Sequence, residues 1–293
     1  MEKQKAKRWA KVLVQLLIAV LAIYLVGQKI DIEAFKQQLI SANPWWLVLA
    51  WLAFNASKVL SAFRLNYFFR ALTLELSEVF NLKLYYLGML YNQFLPGGIG
   101  GDGYKVYLLN KHYQIPVKGL IGATLLDRIS GVVALGFLAL GSGFLGTGRE
   151  VMGDLAFLLW LGLILAYPLF YLLVKYLFPT YKKVLGITNM QALGVQGLQV
   201  VCAFFILKAI GVDVGYIDYL TLFLVTSVAA SLPISLPGGI GIREAIFAFG
   251  YAYFNIAQTS AVALASLFFL ISLVSALIGI AFLGIRKQPA EHL

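Results

Sequence analysis

The stretch Phe94-Leu95-Pro96-Gly97-Gly98-Ile99-Gly100-Gly101-Asp102 closes one apolar segment of this 293-residue chain. Its core, LPGGIG, returns at Leu236–Gly241, an offset of 141 residues, and leads there into Ile242-Arg243-Glu244. Proline followed by paired glycines does not continue a helix, so each copy ends one apolar helix and opens another with a polar head. Outward from the two copies, stretches without Asp, Glu, Lys or Arg cover 12–28, 37–57, 84–101, 129–148, 155–174, 184–207, 219–242 and 245–285. The chain is 61% hydrophobic and 12% charged, with a mean hydropathy of +0.85. Soluble domains carry about 25% charged residues, and a bilayer span takes roughly 20 apolar residues. The expected fold class is therefore an all-α polytopic integral membrane protein. Strict alternation, the mark of a membrane barrel, is absent from the sequence.

Complete spans are expected at about 12–27, 44–63, 119–146, 153–174, 190–210 and 260–284. The N-terminus has the charge pattern of a signal peptide but no small-residue cleavage site, so the first span is expected to be retained. The apolar segments before the two motifs, 84–95 and 219–235, read as re-entrant elements. The first holds about 12 residues, about 18 Å of helix. This arrangement places the N-terminus, 64–83, 102–118, 175–183 and the C-terminal tail on one side, with sixteen Lys and Arg, against four (Lys29, Lys36, Arg149 and Lys208) on the other. Such a bias predicts both termini in the cytoplasm. A multi-pass protein of the cell membrane is expected.

Three complete spans separate the motif copies, so the second faces the membrane from the opposite side. The expected organisation is a single membrane domain, 1–293, built from an inverted repeat of about 44–146 and about 190–284. Broken helices in inverted repeats are a transporter architecture, with the site where the halves meet. Irregular backbone at membrane depth persists where protein or a water-filled cavity satisfies it. The helix starting after each turn directs N–H groups and partial positive charge into that space, which suits an anion. On that basis Pro96, Gly97, Gly98 and Gly100, with Pro237, Gly238, Gly239 and Gly241, are candidate substrate-binding positions. An ordinary kink or close helix crossing is the structural alternative.

Ionisable residues in membrane segments are functional candidates by default. Asp102 either caps the helix after the first turn or serves the site. Arg243 and Glu244 are the only charges in 219–285; they either pair with each other or Arg243 holds an anionic headgroup. Asp127 and Arg128 lie at least a turn inside the cytoplasmic end of the span at about 119–146, as a local or interhelical locking ion pair or as site residues. Arg64, with Lys58, either snorkels from the end of the second span or contributes to binding. Asn92 needs a polar partner and is a cavity-lining candidate. The pattern G-x-G-x-x-G at Gly98–Gly103 lacks the preceding strand of a dinucleotide site. Neither a nucleophile–base pair nor a metal-ligand cluster is present in the sequence, Cys202 is a lone apolar-run cysteine, and the basic charge follows topology rather than nucleic acid. No cofactor, no metal and no catalytic residue is expected, so the protein is not expected to be an enzyme.

The pattern FLPGGIGGD with YKVYLL, then TLLDRISGVVAL, then SLPISLPGGIGIREAIF resembles the transmembrane, flippase-like domain of the lysylphosphatidylglycerol synthase family. The resemblance covers about 10–285. In two-domain members this region is thought to move modified phospholipid between leaflets while a soluble domain makes it. This chain reaches Leu293 without that domain, so synthase activity is not expected to carry over. By motif match, the resemblance implies a lipid-facing or headgroup-binding role for Pro96, Gly97, Gly98, Asp102, Asp127, Arg128, Pro237, Gly238, Gly239, Arg243 and Glu244. The expected function is a flippase-like membrane lipid translocase handling an anionic or phosphate-bearing lipid, with a lipid-synthesis protein as a possible partner. A secondary transporter of a small anion and a non-transporting lipid-binding subunit are the alternatives. The topology has a direct test. In a Cys202→Ser background, single cysteines at 35 or 213 should react with an impermeant maleimide outside intact cells, and cysteines at 111 or 181 should not. Labelling at 111 from outside would overturn the inverted arrangement.

Overall fold

The computed structural model describes residues 32–94, 100–231, 246–247, 250–254 and 256–285. Every regular element among them is helical. In chain order these are α1 (Ile32–Ile40), α2 (Pro44–Arg70), α3 (Glu78–Phe94), α4 (Gly100–Tyr113), α5 (Val117–Leu145), the single turn α6 (Gly148–Met152), α7 (Phe157–Leu177), α8 (Leu185–Ala209), α9 (Tyr216–Ser231) and α10 (Gln258–Leu277). Short 3-10 segments lie at Gly153–Ala156, Pro179–Val184, Tyr251–Tyr253 and Ile278–Phe282. Five stretches are long and apolar enough to cross a membrane: Pro44–Arg70, Val117–Leu145, Gly148–Leu177, Pro179–Ala209 and Gln258–Phe282. They match five of the six expected spans, and the first, 12–27, lies outside the described residues. The chain is a multi-pass helical membrane protein.

Two boundaries differ from expectation for a shared reason. The second span was expected to end near Phe63, at the first charge, but α2 continues to Arg70. Leu65, Phe68 and Phe69 are buried there and extend the apolar face at helical spacing. Arg64 is tolerated because it is paired inside the protein. Likewise α3 begins at Glu78 and has 17 residues, about 25 Å of helix, longer than the twelve-residue segment expected. Charges at helix ends delimit apolar runs, not helices.

Two pairs of helix starts share one spacing. Pro44 of α2 and Leu185 of α8 are 141 residues apart, as are Val117 of α5 and Gln258 of α10. This is the offset of the two LPGGIG copies. Among the described residues, α2 and α8 form the most extensive helix pair. They run antiparallel: the Asn43 N–H before α2 donates to the carbonyl of Ala209 at the end of α8 (2.8 Å). At the far end Phe68 packs on Tyr181 just before α8. The start of α2 is well specified, with Pro44 at its first position and the Asn43 side chain accepting from the Trp45 N–H (3.0 Å).

The packed interior divides into two apolar clusters. One, around Phe54, Cys202, Ile206, Phe223 and Phe268, joins α2, α8, α9 and α10. The other, around Leu65, Phe69, Leu84, Leu109, Leu126 and Val174, joins α2 to α5 and α7. Tyr181 donates to the Gly119 carbonyl (2.6 Å) and is buried. An unreactive cysteine at 181 therefore reports burial, and the exposed neighbour Lys182 is the better topology probe.

Across the first motif, α3 and α4 meet backbone to backbone. A methyl group on Gly101 would land on the carbonyl and α-carbon of Gly88, with no flexible side chain to give way. Gly103, two residues on, faces open space. Gly101→Ala is therefore expected to cost about 3 kcal/mol through overpacking, read as a fall in unfolding temperature in detergent. Gly103→Ala should be neutral or slightly stabilising, because alanine favours a helix by about 1 kcal/mol over glycine.

Candidate functional site

A helix that enters after a glycine turn has unpaired N–H groups in its first turn. At α4 one of them is answered from across the motif: Asn92, near the end of α3, accepts from the Gly101 N–H (2.8 Å). Asn92 thus ties the end of α3 to the start of α4. Gly100 opens the helix, and Asp102 stands in its first turn, where a carboxylate is favoured by the helix dipole.

Three cations and two carboxylates then converge from α2, α4 and α5. Arg64 Nε donates to Asp127 Oδ1 at 2.7 Å, with the side chains only 5% and 11% exposed. The guanidinium lies against Gly131, whose carbonyl accepts from Gln196 Nε2 of α8 (3.2 Å). Arg128 Nε donates to Asp102 Oδ2 at 2.5 Å, and Lys105 Nζ donates to Asp102 Oδ1 at 3.2 Å. Here exposure is graded: Lys105 is 5% exposed, Asp102 17% and Arg128 38%. The Lys105 ammonium also sits 4.6 Å from the centre of the Tyr85 ring, and its stem crosses Gly88. Burial opposes the charge on Asp102, but Lys105 and Arg128 outweigh it and hold the carboxyl below its ordinary value.

The two carboxylates stand in different settings. Arg64–Asp127 is sealed and serves as a lock between α2 and α5. Asp102, with Lys105 behind and Arg128 at the opening, is an anion held by cations at a helix start that the surroundings can reach.

A family model described as the lysylphosphatidylglycerol synthase TM region matches residues 12–279. The chain belongs to this family. Comparison with curated proteins gave no match. The matched range takes in every helix described above up to the start of the last 3-10 segment, and so contains the whole Asp102 cluster.

Of the candidate positions read from sequence, Arg64, Asn92, Gly100, Asp102, Asp127 and Arg128 fall in one region around the start of α4. Pro96, Gly97, Gly98, Pro237, Gly238, Gly239, Gly241, Arg243 and Glu244 lie outside the described residues. Snorkelling does not describe Arg64, which is buried and paired because α2 carries it past the expected span end. Nor does a local pair describe Asp127 and Arg128: they address different helices. Lys58 lies in the middle of the 27-residue α2, half-buried with its ammonium 4.3 Å from the Phe54 ring centre, rather than near a span end. Lys105 was missed, having been counted with the loop cations. Its spacing three residues after Asp102 on a helix was the signal that could have found it.

Removing either member of the buried pair leaves a charge alone in an apolar interior, which costs roughly 3–5 kcal/mol. Arg64→Met and Asp127→Leu are each expected to lower the unfolding temperature in detergent sharply. The double variant should recover most of the loss, because both charges leave together. A double variant no better than the singles would show that the pair is not the lock.

Proposed function

We propose that this protein binds and translocates a phosphate-bearing membrane lipid, with the headgroup held at the start of α4 by Lys105 and Arg128. The observation that carries the reading is the graded cluster on Asp102: a buried lysine, a half-buried arginine and a helix N-terminus around one accessible position. Arginine and lysine differ in role. Arg128 at the opening offers a planar fork for a phosphate, and Lys105 supplies a point charge behind it. Membership of a family named for lysylphosphatidylglycerol synthesis supports a lipid rather than a soluble solute.

The translocation half of the reading draws on the repeat. Equivalent helices α2 and α8 recur at the motif offset and run antiparallel, which is what two halves of opposite orientation require. On this reading α3 and α9 are re-entrant, both termini are cytoplasmic, and the protein works in the cell membrane as a carrier rather than an enzyme, alone or beside a lipid-synthesising partner. A non-transporting lipid-binding subunit is the second reading. The sealed Arg64–Asp127 pair favours it: it ties α2 to α5 inside the first half as a fixed, inaccessible ion pair rather than as part of an open polar path.

Leaflet exchange separates the two. Proteoliposomes with a trace of labelled anionic phospholipid should exchange it between leaflets faster than empty liposomes. Arg128→Ala should slow exchange about tenfold, the scale of one lost charge-assisted hydrogen bond, while leaving labelled phosphatidylcholine unaffected. Exchange no faster than in empty liposomes, with anionic lipid still bound, would favour the binding subunit.

A further inference from the structure

The two carboxylates of the cluster are held in different ways. Asp127 meets Arg64 through Oδ1 alone. Asp102 divides its oxygens, Oδ1 to Lys105 and Oδ2 to Arg128. An anion whose separate oxygens are each claimed by a different cation is bound as a phosphate is bound. Building on the reading above, we propose that Asp102 is a resident stand-in for the ligand. Its carboxylate occupies the Lys105–Arg128 cation pair when the site is empty, and a phosphate-bearing headgroup displaces it.

The physical need for a stand-in comes from Lys105. The ammonium of a lysine whose side chain is 5% exposed cannot be left without a counter-anion except at large cost. A headgroup that departed with no replacement would leave Lys105 and the start of α4 uncompensated, and release would be slow. Exchange of one anion for another keeps the buried charge constant through binding and release. The local structure leaves room for it. Asp102 is 17% exposed, Arg128 is 38% exposed, and the adjacent Gly103 has open space where a side chain would be. The sealed pair supplies no such exchange, since neither of its members is accessible.

The stand-in predicts that removing the carboxylate improves binding. The full chain, in nanodiscs of phosphatidylcholine, would be titrated with dihexanoyl phosphatidic acid, with inorganic phosphate and with dihexanoyl phosphatidylcholine. Asp102→Asn is expected to bind phosphatidic acid about tenfold more tightly than the wild type, equivalent to about 1.4 kcal/mol, and to exchange labelled anionic lipid between leaflets more slowly. Glu78→Gln, which removes an exposed carboxylate paired with Arg70 far from this cluster in role, should not tighten binding. A gain confined to phosphatidic acid identifies a lipid headgroup as the ligand; a gain shared by inorganic phosphate identifies the free anion. Unchanged or weaker anion binding in Asp102→Asn, with wild-type binding intact, overturns the stand-in alone. No anion binding by either protein overturns the stand-in and the functional reading together. If Asp102→Asn unfolds on purification, the unfolding temperature becomes the measure. Recovery with phosphatidic acid but not with phosphatidylcholine is expected, and no recovery overturns the proposal.

Discussion

The Arg64–Asp127 ion pair sets the geometry of the charged half of this protein. In an apolar interior neither group can stand alone, so α2 and α5 must present them to each other at one height and one rotation. Successive residues of a helix point about 100° apart. Once Asp127 is turned toward α2, its neighbour Arg128 is turned toward α4, where Asp102 receives it. Two adjacent residues of one helix thereby fix the positions of two others. The sealed pair supplies rigidity, and the more accessible pair is positioned by it.

Glycine makes the second condition. The α3–α4 hairpin brings Gly88 and Gly101 together with no side chain between them, and Asn92 closes it by accepting from Gly101. The same Gly88 leaves the channel along which the Lys105 stem reaches Tyr85 and Asp102. A side chain at either glycine would separate the helices or displace the lysine. Gly88 and Gly101 thus act through packing, a role consistent with small residues at membrane helix crossings.

The offset of the motif copies recurs in helix starts but not in the charges. At the motif offset, the positions matching Arg64 and Asp127 hold Phe205 and Phe268. Phe205 stacks on Trp46, and Phe268 packs edge-on against Phe54 and Phe223. Where Arg64 and Asp127 join α2 to α5 by an ion pair, the matching positions instead make aromatic contacts to α2 and α9, which need no counter-charge. Asn55 and Gln196, also equivalent by offset, keep polar roles in both halves, to Tyr86 and Ser275 in one case and to the Gly131 carbonyl in the other.

Hydropathy and punctuation in the sequence determined the membrane class, the five described spans, the offset of the motif copies and several residues of the charged cluster. These are local properties: apolar length decides what enters the bilayer, and Pro-Gly-Gly ends a helix wherever it occurs. Asp102, Asp127 and Arg128 stood out because charge in an apolar run is conspicuous. Tertiary structure alone decided which charge answers which, since partners 63 and 26 residues apart leave no trace in spacing. It also decided that α2 passes through Arg64 to Arg70 and that Lys105 is buried rather than solvated. A charge ends a membrane helix only when water must satisfy it, and here another side chain does so instead.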